Sequence, residues 1–155
     1  MNYKIKISYD GTNYAGWQIQ PKKKTIQGEI EFSLHKIFNE KINIIGSGRT
    51  DAGVHAHNQV ANFHIDTNIS PDKIKQAINS NLKDDIFIKS CKIVDNDFHS
   101  RFSAIEREYE YNISENADYA EDLVRMGFRV TPVTVIGTDM IAGFAPGKLE
   151  KALSK

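Results

Sequence analysis

Residues 46–56 read GSGRTDAGVHA, and the segments on either side of them set the architecture. Upstream, Ile42, Ile44 and Ile45 read as a strand running into this glycine-rich stretch. Downstream, residues 59–65 (QVANFHI) read as the next strand. Towards the N-terminus, Tyr3, Ile5, Ile7 and Tyr9 alternate with polar residues, the period of a half-buried strand. Asp10-Gly11 ends that strand and opens a loop through Gly16 and Pro21. Thr25 is placed to cap a helix whose apolar positions Ile26, Ile30, Leu34, Ile37 and Phe38 recur at helical spacing. Beyond the glycine-rich segment, Ser70-Pro71 opens a second helix carrying Ile74, Ala77, Ile78 and Leu82. Residues 86–94 and 107–113 (REYEYNI) read as further strands.

The order strand, helix, strand, strand, helix, strand, strand is that of a split β-α-β unit. It predicts an α+β fold of ferredoxin-like or RRM-like type, an antiparallel sheet with helices on one face. The other face is then open to a ligand, as in sheet-based RNA binders.

Bulk properties narrow the classes. The chain has 155 residues and is 40% hydrophobic, enough to build one well-packed domain or two very small ones. Lys+Arg 20 balances Asp+Glu 20, so net charge alone does not point to nucleic acid, and an RNA ligand needs a local basic groove. Lys22, Lys23 and Lys24 are the one dense basic run, read equally well as a solvated loop tip or as a contact surface. Cys91 is the sole cysteine, which excludes an intrachain disulfide and a cysteine-based zinc site and suits a reducing cytoplasm. No apolar run reaches the length of a signal peptide or a membrane span, so the expectation is a soluble cytoplasmic protein.

Within residues 46–56, small residues surround one arginine and one carboxylate. Gly46, Gly48 and Gly53 permit tight backbone and close ligand approach. Arg49 offers a planar donor set for a phosphate or a base edge, and Asp51 is flanked only by Thr50 and Ala52. A buried carboxylate beside an arginine serves as nucleophile or general base on a sugar carbon. From spacing alone, a tight turn in which Asp51 caps neighbouring amides stands as an equal alternative. His55 and His57, two residues apart, lack a third ligand and read as neutral hydrogen-bonding side chains rather than a metal site. His35 reads as a solvent-facing helix position, and Trp17 as a packing anchor rather than a stacking platform, its loop position leaving RNA contact open. Tyr109 and Tyr111 share one face of an alternating strand.

GRTDAGVHA at 48–56 resembles the signature of the tRNA pseudouridine synthase A family. YDGTNYAGWQIQP at 9–21, TIQGEIE at 25–31, INSNL at 78–82, DFHSRFSA at 97–104 and REYEYNI at 107–113 match further segments of that family in order. The resemblance covers residues 1–113 and defines a catalytic domain over 1–114. It implies a reaction on tRNA, in the anticodon stem-loop, that breaks the uracil–ribose bond, turns the base and rejoins it through carbon, with no metal and no organic cofactor. It implies Asp51 as the essential carboxylate and Arg49 as a residue that extrudes or holds the nucleotide. Tyr109 would pack against the target base, and Arg101 and His99 would contact RNA near the cleft. A homodimer is compatible with it.

The family pattern then stops. The phenylalanine-histidine-histidine-methionine-type segment of its second domain, and the arginine that follows, have no match in residues 114–155. Instead, residues 116–126 read as a helix ending at Gly127, residues 133–136 and 140–142 as short strands, and residues 146–153 as a last helix. YAEDLVRMGFRVTPVTVIGTDMIAGFAPGKLEKAL at 119–153 resembles the C-terminal half of a glutaredoxin- or thioredoxin-like domain, with Thr131-Pro132 as a fixed turn that a cis bond would suit. The chain thus reads as a chimera joined near 114–117, with a thioredoxin-like αββα segment over 115–155. Redox chemistry is not expected, because the cysteine pair is absent. A cationic neighbour keeps a partly buried carboxylate ionised and aimed, so loss of the partner arginine predicts impaired turnover. The alternative is an inactive RNA-binding or scaffold chimera.

Overall fold

The computed structural model describes residues 1–104 and the strands at 133–136 and 139–142. The chain divides into two compact units, Met1–Ser103 and Ala104–Lys155.

The first unit is built from β1 (Asn2–Tyr9), α1 (Ile26–Phe38), β2 (Ile45–Gly46), β3 (Ala56–His64), α2 (Pro71–Asn81) and β4 (Ile86–Val94). The strands form one antiparallel sheet in the order β2-β3-β1-β4. Each helix therefore carries the chain over an intervening strand, α1 over β3 and α2 over β1, which is the expected split β-α-β topology.

Alternation in β1 sorts its residues between two faces. Tyr3, Ile5, Ile7 and Tyr9 are buried in one cluster with Ile26, Ile30 and Leu34 of α1 and Ile74 and Ile78 of α2. Burying each of these side chains contributes about 1.5–3 kcal/mol before the entropy of ordering them is counted. Lys4, Lys6 and Ser8 point to the opposite face and stay partly or fully exposed.

Local signals explain both helices. Thr25 is extended and its side chain accepts a hydrogen bond from Gly28 N, while Asn39 closes α1 in the left-handed conformation. Pro71 occupies the first turn of α2, but Ser70 caps with its backbone only and makes no side-chain cap bond.

Two strand boundaries differ from expectation. β3 begins at Ala56 rather than at residue 59, and β2 is confined to Ile45–Gly46. Ile42 and Ile44 are buried in the core without joining the ladder. Helix side chains take the groups a ladder would use: Glu31 Oε1 accepts Ile44 N at 2.9 Å, and Gln27 Nε2 donates to Ile44 O at 3.2 Å.

In the second unit, β5 (Val133–Ile136) and β6 (Asp139–Ala142) form an antiparallel hairpin. The strand expected at 107–113 with Tyr109 and Tyr111, the helices expected at 116–126 and 146–153, and Thr131-Pro132 lie outside the described residues. Among the described residues no helix is long and apolar enough to cross a membrane.

Candidate active site

The segment that follows β2 runs back along β3. Ser47 N donates to Val60 O at 2.8 Å, and Gln59 Nε2 donates to Gly48 O at 2.7 Å. Residues 49–54 then turn across the end of β1. Tyr9 Oη lies 2.8 Å from Thr50 Oγ1.

The loop after β1 backs onto this turn almost backbone to backbone. Trp17 N donates to Thr50 O at 2.9 Å, and Gly53 N donates to Tyr14 O at 3.3 Å. Gly16, at φ 90°, faces Thr50 O and the Asp51 main chain so closely that a side chain has no room. Gly11 meets the Val54 carbonyl in the same way, and the Trp17 indole lies flat against Gly46. Two loops far apart in sequence thus form one layer, which is why each carries glycine where the other approaches.

Asp51 sits at the exposed crest of that layer. Two amides that follow it go to main-chain carbonyls: Val54 N donates to Asp51 O at 3.3 Å, and Gly53 N to Tyr14 O. Its carboxylate is not a cap. Among the described residues no hydrogen bond or ion pair reaches it. This corrects the expectation of a buried carboxylate beside an arginine: Asp51 and Arg49 are both exposed, and no ion pair joins them among the described residues. Main-chain bonds, with the Tyr9 hydroxyl at Thr50 and Gln59 at Gly48, hold the turn without Asp51 or Arg49, so these two side chains are left to solvent or to a ligand.

The profile of the tRNA pseudouridine synthase family matches residues 5–103. The chain belongs to that family. Among curated relatives, "tRNA pseudouridine synthase A" of Borrelia turicatae is 54% identical over 114 residues, 74% of this chain and 46% of the relative. The protein of that name from Caldicellulosiruptor saccharolyticus is 51% identical over 112 residues, 72% of this chain and 46% of the relative. The one from Limosilactobacillus reuteri is 48% identical over 116 residues, 73% of this chain and 45% of the relative. The chain spans about half the length of the curated relatives it matches.

Other residues of this synthase-family unit fall in different places. Residues 95–100 are clamped by two fully buried amides: Asn2 Nδ2 donates to Asp95 O and Phe98 O, and Asn62 Oδ1 accepts Ser100 N at 2.9 Å. The turn carrying His99 and Arg101 therefore docks beside Asn62, which lies opposite Lys4 in β1. Lys4 precedes Tyr9 by about 17 Å of extended strand, so His99 and Arg101 stand towards the other end of the sheet from Asp51. His99 Nδ1 accepts from the amides of Arg101 and Phe102 at 3.2 and 3.4 Å, and its ring stacks on Phe102 with centroids 4.3 Å apart. Nε2 is then the protonated nitrogen. Tyr109 lies outside the described residues.

Trp17 is 3% exposed and packs 6.1 Å from the Tyr9 ring, as a packing anchor should. His35 is exposed. His55 Nδ1 faces Asp10 Oδ1 at 3.2 Å, and hydrogen bonds from Thr12, ahead of the charge on His55, hold the Asp10 carboxyl below its ordinary range. Among the described residues no group of three His, Cys, Asp or Glu side chains is disposed to hold a metal ion. The basic run divides: Lys22 and Lys23 are exposed, but Lys24 turns inward, its Nζ 3.0 Å from Tyr14 Oη and 4.1 Å from the ring centre. Sequence reasoning missed Tyr9, Tyr14, Gln59 and Asp85 as supports of the loop. Alternation placed Tyr9 in the core but gave no sign of what its hydroxyl meets.

Proposed function

We propose that this chain carries the Asp51 half of a tRNA pseudouridine synthase cleft. In it, Asp51 acts as nucleophile or general base on the sugar carbon of a uridine turned out of an anticodon stem-loop. Arg49, two residues before Asp51 on the same exposed turn, holds the extruded nucleotide through its phosphate or base edge. Tyr109 stacks on the target base, and His99 and Arg101 bind RNA further along the sheet. No metal or organic cofactor enters the reaction.

One observation carries this reading: main-chain bonds and the Tyr9 and Gln59 side chains hold the Asp51 turn, while among the described residues nothing takes up the exposed Asp51 carboxylate. A side chain that served only the turn would be spent on its amides.

The exposure of Asp51, with no cation beside it among the described residues, supports slow turnover by residues 1–155 assayed alone. We infer as a second reading an inactive RNA-binding or scaffold chimera, resting on the sequence resemblance of residues 119–153 to a thioredoxin-like segment. The experiment is pseudouridine formation in an anticodon stem-loop RNA under excess protein, with Asp51→Asn in parallel. Slow conversion that disappears in the variant supports the enzyme. Salt-sensitive binding with no conversion supports the scaffold. Conversion unchanged by Asp51→Asn rules out the role of Asp51.

A further inference from the structure

Behind the Asp51 turn lies a partly buried polar cluster for which the reaction has no direct use. Tyr14 is 4% exposed, and its hydroxyl donates to Asp85 Oδ1 at 2.6 Å while accepting from Lys24 Nζ at 3.0 Å. Asp85 also uses its main chain, since its carbonyl accepts Asp10 N at 2.9 Å. The short connection between α2 and β4 thus grips both ends of residues 10–14. Lys24 adds a third hold, because its carbonyl accepts Ala15 N at 2.9 Å. At its other end Tyr14 meets the catalytic turn: its carbonyl receives Gly53 N, two residues beyond Asp51.

Tyr14 is therefore bonded through its side chain to the α2–β4 connection and through its main chain to the Asp51 turn. Burial, and then the hydrogen bond to Asp85, raise its phenol well above the ordinary tyrosine value, so it stays a donor at any physiological pH. Gly53 needs this hold. It sits at φ 80°, and among the described residues, its chain neighbours aside, no atom lies within 4 Å of where a Cβ would stand, so no side chain described there packs on it from that side.

We propose that the Tyr14–Asp85 hydrogen bond is a positioning latch that sets where the Asp51 carboxylate stands, acting through Tyr14 O and Gly53 N. The proposal rests on the role given to Asp51 above, but its geometry stands apart from that role. With Tyr14 buried, the latch acts through the main chain and not by contact with substrate. The latch works by removing freedom from the turn, since misplacing a reacting group by about 1 Å costs a large factor in rate.

The test uses the full chain with Tyr14→Phe, Asp85→Ala and Asp85→Asn, the last keeping an oxygen to accept from Tyr14. Amide hydrogen exchange is read residue by residue alongside the single-turnover rate at saturating stem-loop RNA. Tyr14→Phe and Asp85→Ala are expected to speed exchange at Gly53 and Val54 by about tenfold, with Ile5 and Ala61 in the sheet unchanged. The isomerisation rate should fall by roughly tenfold while RNA affinity holds. Asp85→Asn should restore both. Unchanged exchange at Gly53, or an equal rise at every amide, overturns the latch. If Gly53 exchange rises as expected but Asp51→Asn leaves isomerisation untouched, the latch stands and the catalytic reading of Asp51 fails.

Discussion

Tyr9 Oη and Thr50 Oγ1 lie 2.8 Å apart, so the last residue of β1 is hydrogen-bonded to the residue immediately before Asp51. A strand in the centre of the sheet, and not only a loop, locates the Asp51 turn. Tyr9→Phe keeps the ring against Trp17 and removes this bond. It should cost about 1 kcal/mol of stability, read from urea unfolding, because a net hydrogen bond is worth about that much. It should also slow isomerisation more than it weakens RNA binding. Equal losses in both would place Tyr9 in binding instead.

The glycines of the two loops should rank by what faces them. Gly53→Ala meets open space among the described residues and bears the positive φ, about 1–2 kcal/mol. Gly11→Ala and Gly16→Ala drive a methyl into the main chain of Val54 and of Thr50 and should be markedly worse, Gly16→Ala adding strain at φ 90°. Unfolding midpoints of the three variants measure the order, and a Gly53→Ala loss as large as the other two contradicts it.

Glu31 substitutes for the missing ladder at Ile44. Glu31→Ala should cost about 1–3 kcal/mol, since it leaves Ile44 N without its acceptor. Glu31→Gln, which keeps an oxygen, should cost less. Chemical denaturation of both variants gives the comparison.

Burial, more than the Asp72 charge, pushes the Cys91 thiol up to about 11 from 9.0. The folded state holds this proton more tightly than the unfolded chain. Its contribution to stability is therefore complete below pH 9.0 and is lost as pH rises towards 11. Denaturation curves across that range should show Cys91→Ala with a shallower alkaline decline than the parent. At neutral pH a thiol reagent should label Cys91 only as fast as the protein opens, and rapid labelling of the native state would contradict its burial.

Periodicity made most of the fold legible. Alternation at Tyr3, Ile5, Ile7 and Tyr9, the Thr25 cap and the Ser70-Pro71 start each correspond to an observed element, because each reports a local or single-face property. Ile42 and Ile44 looked like strand because apolar residues at period two are buried in either case; only Glu31 and Gln27, more than ten residues away, divert the backbone. At the site, glycine spacing marked the turn and Asp51 within it. The supports stayed hidden because Tyr14, Lys24 and Asp85 meet through tertiary contacts between distant segments. The exposure of Asp51 was likewise illegible, since small flanking residues suit a buried turn and an open one equally.

The main-chain packing of residues 10–17 against 48–54 has a consequence for engineering. With carbonyls and glycine Cα atoms in direct apposition, neither loop has slack to absorb a change in the other. An accepted substitution at Gly11 or Gly16 would demand a compensating shift at Val54 or Thr50. The two loops are in effect one inherited part, written in two places. A designer who grafts the Asp51 turn onto another scaffold without its partner loop transfers the letters and leaves the shape behind.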